Sequence, residues 1–146
     1  MGLVTLRFIS LLSAVVALGP AFAHLLELRV KIRLPLEQYR IVQQLYRGWA
    51  LIGVAVVTAI FSTLGVAFLV RAQRQRFALT LIAFLLLIGT QIIFWAVTFP
   101  VNQRTRNWTV FPPDWKDLRL RWEYSHAAGA VLNLIVVVVL ILSVVA

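Results

Sequence analysis

The 146-residue chain has no cysteine, five acidic residues, two histidines and one methionine. Without thiols it has no thiolate nucleophile, no iron–sulfur ligation and no disulfide, and cysteine usage says nothing about its redox compartment. Charge is scarce: 13% of residues are charged against 62% hydrophobic, and the mean hydropathy of +0.92 excludes an ordinary soluble domain. The few charges present are lopsided, fourteen Lys and Arg giving a net +9. These basic residues fall only between apolar runs or at their ends, where anchoring to anionic headgroups accounts for most of them, so no nucleic-acid partner is expected.

What is abundant is long apolar sequence. Four runs, about 4–26, 49–70, 77–99 and 126–145, each reach the roughly 20 residues that cross a hydrocarbon core as a helix. They lack the alternation of barrel strands, so helices are the way to satisfy the backbone in lipid. The predicted fold is all-α: one membrane domain over residues 1–146, a four-helix bundle in the lipid bilayer. The last helix is predicted to begin in the preceding loop and run 115–145, because Pro112-Pro113-Asp114 breaks the chain just before it.

With four spans, the two longer polar loops (between helices one and two, and three and four) share one side. The first contains an amphipathic segment over about 35–47, opened by Pro35 and carrying Tyr39, Gln43 and Tyr46 on one side. The connection Arg71 to Arg76 at the other end is short and purely basic. Ten of the fourteen Lys and Arg residues belong to the long-loop side, and a raw positive-inside count places both termini outside.

Polar residues form stripes that converge on the long-loop end. Ser13, Ala17, Pro20, His24, Glu27 and Lys31 recur at helical spacing on the first helix, and Glu123, His126, Gly129, Ala130 and Asn133 on the fourth. The third contributes Gln91, Trp95, Thr98 and Asn102. Helix one reads H-x-x-E toward the loops and helix four reads E-x-x-H away from them, which sets both histidines about one turn, roughly 5 Å, deeper than both glutamates. Two imidazoles and two carboxylates facing inward are a candidate metal set (His24, Glu27, Glu123, His126) suited to Zn, Fe, Cu or Mn, although di-iron carboxylate bundles use more carboxylates than this chain offers. The plain alternative has Glu27 paired with Lys31 or Arg29 and Glu123 with Arg119 or Arg121, and Trp108, Trp115 and Trp122 serving as an interface belt.

Three stretches carry a resemblance: ALGPAFAHLLELRVKIRLPLEQYRIVQQLYRGW from Ala17 to Trp49, GTQIIFWAVTFPVN from Gly89 to Asn102, and NWTVFPPDWKDLRLRWEYSHAAGAVLN from Asn107 to Asn133. With their H-x-x-E, P-x-N and W-x-x-x-H marks they resemble the anthrone oxygenase-like family of small four-helix membrane proteins. That resemblance implies a retained first helix, although Ala21-Phe22-Ala23 before His24 also looks like a secretory cleavage site. It implies a multi-pass protein, of the inner membrane if bacterial, and a buried polar site at one end of the bundle. Characterised members oxidise an anthrone to an anthraquinone with O₂; a shared fold does not carry the substrate across.

Three functions follow. The first is a membrane oxidoreductase of oxygenase type for a lipophilic aromatic or quinone-like substrate. Its catalytic candidates are His24, Glu27, Glu123 and His126, holding a metal or positioning a substrate phenolate, and Asn102, offering a hydrogen bond to oxygen; its substrate-binding candidates are Tyr39, Gln43, Tyr46, Gln91, Trp95, Trp108, Trp122 and Tyr124. The second is a heme b protein with His24 and His126 as axial ligands. The third is a non-catalytic accessory or assembly subunit in which His24 and Glu27 bond directly to Glu123 and His126.

Overall fold

In the computed structural model, which describes residues 2–146, the chain is a helical bundle. Its elements are α1 (Gly2–Lys31), α2 (Leu36–Gln44), α3 (Ile52–Leu69), α4 (Arg74–Ile93), α5 (Phe99–Arg104) and α6 (Trp115–Val145). A 3₁₀ turn, Trp49–Leu51, leads into α3, and a π-helical turn, Phe94–Thr98, joins α4 to α5. Four helical stretches are long and apolar enough to cross a membrane: Gly2–Lys31, Trp49–Leu69, Arg74–Arg104 and Trp115–Val145.

Several boundaries differ from the sequence reading. The first helix runs to Lys31 rather than stopping near residue 26, because nothing before Pro35 forbids another turn and Arg33 and Leu34 close it with bonds to the carbonyls of Val30 and Lys31. The third span begins at Arg74 and ends at Arg104. Pro100 falls in the first turn of α5, directly after the π turn, where its missing N–H is best tolerated.

The spans pack in a ring, α1 against α3, α3 against α4, α4 against α6 and α6 back on α1. At mid-bundle the core is small: Ala14, Ala59 and Ala83 from three different helices meet Leu87, Val136 and Leu140. Small side chains let the backbones approach, which is how helices associate when the surrounding lipid is as apolar as their cores. Many large hydrophobics of the spans point outward; Phe8, Phe61, Phe68 and Ile92 are each more than 60% exposed on the bundle surface. A second core lies at the long-loop end and is aromatic: Tyr39, Val101, Trp108, Leu118 and Trp122.

Candidate functional site

The inward stripes of α1 and α6 meet at the long-loop end, and Lys31 joins them. The extra turn of α1 carries this lysine inward, where it is 2% exposed. Its ammonium lies 2.8 Å from His24 Nδ1, 2.9 Å from Glu123 Oε2, 3.2 Å from Tyr46 Oη and 3.4 Å from Glu27 Oε2. The contact to Glu123 Oε2 is an ion pair off the hydrogen-bond line. Glu123 is fully buried, and its Oε1 accepts from the Tyr39 hydroxyl at 3.1 Å. Tyr46 donates to Glu27 Oε2 at 2.6 Å. One cation between two carboxylates makes a low-dielectric site affordable, since each charge alone would be expensive there.

The histidines stack instead of bonding. Their ring centroids are 4.3 Å apart with planes 23° from parallel, and the Trp122 indole meets both edge-on, at 4.2 Å from His126 and 5.0 Å from His24. Lys31 Nζ lies within hydrogen-bond distance of His24 Nδ1. His126 Nε2 is buried without a hydrogen-bond partner among the described residues. Trp122 is itself held by a 2.8 Å bond from Nε1 to Asn102 Oδ1.

Tyr39 and Tyr46 come from the first loop. Burial raises the pKa of both phenols well above the ordinary value of 10, and the neighbouring carboxylates, Glu123 for Tyr39 and Glu27 for Tyr46, raise it further. Trp108 reaches the cluster through an unusual turn: Arg106, Asn107 and Trp108 have φ of 48°, 52° and 60°. Left-handed backbone is costly for residues with a Cβ, and here a bond from the Trp108 N–H to Thr105 Oγ1 and the packing of its indole against Tyr39 and Trp122 hold it.

His24, Glu27, Glu123, His126, Asn102, Tyr39, Tyr46, Trp108 and Trp122 thus belong to one connected cluster, while Gln43 is buried with its Nε2 unpartnered. Others are elsewhere. Trp95 and Tyr124 are 58% and 55% exposed on the outer surface. Among the described residues Gln91 bonds its neighbour Thr90 alone. The stripe expected on the third span is broken because the π turn adds a residue and rotates the helix: Thr98 and Asn102 point inward to Ser125 and Trp122, and Trp95 packs on Phe94 and Phe99 outside.

The expected metal set takes a different form. Among the described residues no three His, Cys, Asp or Glu side chains gather as a ligand group, and the Lys31 ammonium lies between the two carboxylates where the sequence reading placed a metal. Axial heme ligation does not fit either: rings stacked face to face at 4.3 Å leave no space for a macrocycle between their nitrogens. Of the direct His–Glu bonds expected between α1 and α6, the His24–Glu123 one is replaced by contacts of both residues with Lys31, and the Glu27–His126 one is not formed. Glu123 pairs with this lysine instead of Arg119 or Arg121, and Glu27 does so as the plain alternative had it.

Lys31 is the residue whose role the sequence reading missed, although its spacing from His24 and Glu27 already placed it on their stripe. No family model, no curated protein and no solved structure matches this chain.

Proposed function

We propose that the chain is a membrane-embedded oxidoreductase of oxygenase type, acting on a lipophilic aromatic or quinone-like substrate at the Lys31-centred cluster. One arrangement supports this: a buried ammonium shared by two carboxylates, a histidine and a phenol, open to the outside at Glu27, which is 48% exposed. A substrate with an acidic C–H or phenolic O–H needs a base for its proton and a cation for the oxyanion left behind. Glu27 is the reachable base, Lys31 the cation, and Tyr46 the hydroxyl that links them. His24 and Glu123 position the lysine, and the unpartnered Nε2 of His126 supplies a further hydrogen bond.

The reaction type comes from the resemblance to anthrone oxygenases and balances as R₂CH₂ + O₂ → R₂C=O + H₂O. Two C–H bonds break, one oxygen atom enters the carbonyl, and the other leaves as water with both protons. The donor set favours no metal in this step, since a cation already lies between the carboxylates. Retention of the first helix belongs to the same proposal, because cleavage after Ala23 would remove most of the helix that holds His24, Glu27 and Lys31 in place. If the protein is bacterial, the inner membrane is its place.

The second reading is a non-catalytic accessory subunit. It is favoured by the closure of the network: two hollows in the surface, about 420 and 510 Å³, are lined by other residues. Oxygen uptake with anthrone as probe, on protein in lipid nanodiscs, separates the two. The oxygenase reading expects anthraquinone formation above the spontaneous rate, reduced at least 100-fold in Glu27→Gln with unchanged unfolding temperature. Background rates across anthrone and a set of alkylated hydroquinones, from a folded protein, would leave the accessory reading standing.

A further inference from the structure

The larger of the two hollows described above, about 510 Å³, lies at the long-loop end where the end of α1, the start of α2 and the start of α6 come together. Its charged lining is of one sign: Arg33, Lys116 and Arg119, with no acidic residue. Arg33 and Lys116 are exposed, and neither has an ion-pair partner among the described residues. The nearby Glu37 faces Arg40 at 3.8 Å.

Arg119 makes this more than a basic surface. It is 7% exposed, its guanidinium stacked 4.7 Å above Trp115 and 5.3 Å above Tyr39. Nη1 is fixed to the carbonyl of Leu34 at 2.7 Å, whereas Nε has no hydrogen-bond partner among the described residues. A buried guanidinium with spare donors is rigid before any ligand arrives, and its planar fork suits phosphate geometry. Helix α2 opens at the same place, its N-cap Pro35 offering no side-chain cap, so first-turn N–H groups also face a negative ligand favourably.

We infer that this hollow binds a phosphate-class oxyanion, the headgroup of an anionic phospholipid being the source its surroundings favour. The rest of the lining is Ile32, Leu34, Pro35, Leu36 and Trp115, apolar surface at the ends of two membrane spans. A soluble anion has no use for that surface; an acyl chain or glycerol backbone does. The site is independent of the oxygenase reading.

The test is native mass spectrometry of the protein released from nanodiscs of equal phosphatidylglycerol and phosphatidylcholine. Wild type is expected to retain one phosphatidylglycerol at least tenfold over phosphatidylcholine. Arg33→Gln/Lys116→Gln, which changes only exposed side chains, should lose most of that preference, and Arg119→Lys should weaken it while keeping the charge. Arg74→Gln/Arg76→Gln, at the opposite end, removes equal charge and should leave it intact. In a second arm, Trp fluorescence in neutral detergent is followed on adding inorganic phosphate at matched ionic strength. Saturable binding there without lipid preference keeps the oxyanion site and assigns it to a soluble ion. Equal retention of both lipids with no phosphate response overturns the inference, as does equal loss of preference in both double variants.

Discussion

The two ends of the bundle are held by different physics. At the Arg71–Arg76 end and through mid-bundle, alanines and hydroxyls bring helices together by close contact: Ala14, Ala59 and Ala83 are all at most 1% exposed, and Ser10 meets Thr63 at 2.7 Å. At the long-loop end an ammonium, two carboxylates, two imidazoles and a group of tryptophans and tyrosines occupy the same cross-section. Contact packing alone would have held both ends, as it holds the first. A polar core costs desolvation that an apolar one does not, so its presence at one end only is the physical reason to look for chemistry there.

The largest expected effect removes the hub. Lys31→Met leaves Glu123 buried without its cation and should destabilise the protein by about 3–5 kcal/mol, read by denaturant unfolding in detergent. Adding Glu123→Leu should recover at least half of that loss, because the orphaned charge goes with it. If Lys31→Met unfolds like wild type, the two ends do not differ in the way described.

Mid-bundle, the corresponding break is steric. Ala59→Leu places three extra carbons in the buried core where α1, α3 and α4 meet and should cost about 1–3 kcal/mol without altering any polar contact. A neutral result would mean that the alanine contacts are loose and the bundle depends on its polar end.

Tyr39→Phe tests a single bond in the polar end. It removes the hydroxyl donor to Glu123 Oε1 and should cost about 1–3 kcal/mol. Alkaline titration gives the same group a pH signature. Tyr39 and Tyr46 have raised pKa values when folded, so above pH 10 the unfolded chain loses phenolic protons that the folded one keeps. Their contribution is fully present below pH 10 and is lost as pH rises beyond it. Tyr39→Phe should flatten that alkaline decline, followed by unfolding midpoints across pH 9 to 11.

Much of this contrast was legible in the sequence. Apolar run lengths gave four spans, and the opposed H-x-x-E and E-x-x-H gave two faces that meet with the histidines at one depth. The hub was obscured by a boundary: a helix ended near residue 26 leaves Lys31 in a loop, even though it continues the His24 stripe. The π turn has no signature in FWAVT apart from Pro100 shortly after it, so Trp95 was placed on the wrong face. The left-handed run at Arg106 to Trp108 was equally hidden; Asn107 tolerates that backbone, and Trp108 accepts it because the core takes up its ring.

The smallest expected effect completes the comparison. Ser10→Ala removes a side-chain hydrogen bond that links α1 to α3 at the contact end, and the cost should be about 0.6 kcal/mol, no more than about 1.7. The reason it is small is local. A hydroxyl in a helix has a second acceptor in the carbonyl of the preceding turn, as Ser13 and Ser62 show by bonding Ile9 and Thr58, so Thr63 is not stranded when its partner goes. Glu123 has no such fallback on its own helix. A Ser10→Ala cost approaching that of Lys31→Met would mean that interhelical polar contacts are equally valuable throughout, and the buried ion cluster would lose its claim to be more than glue.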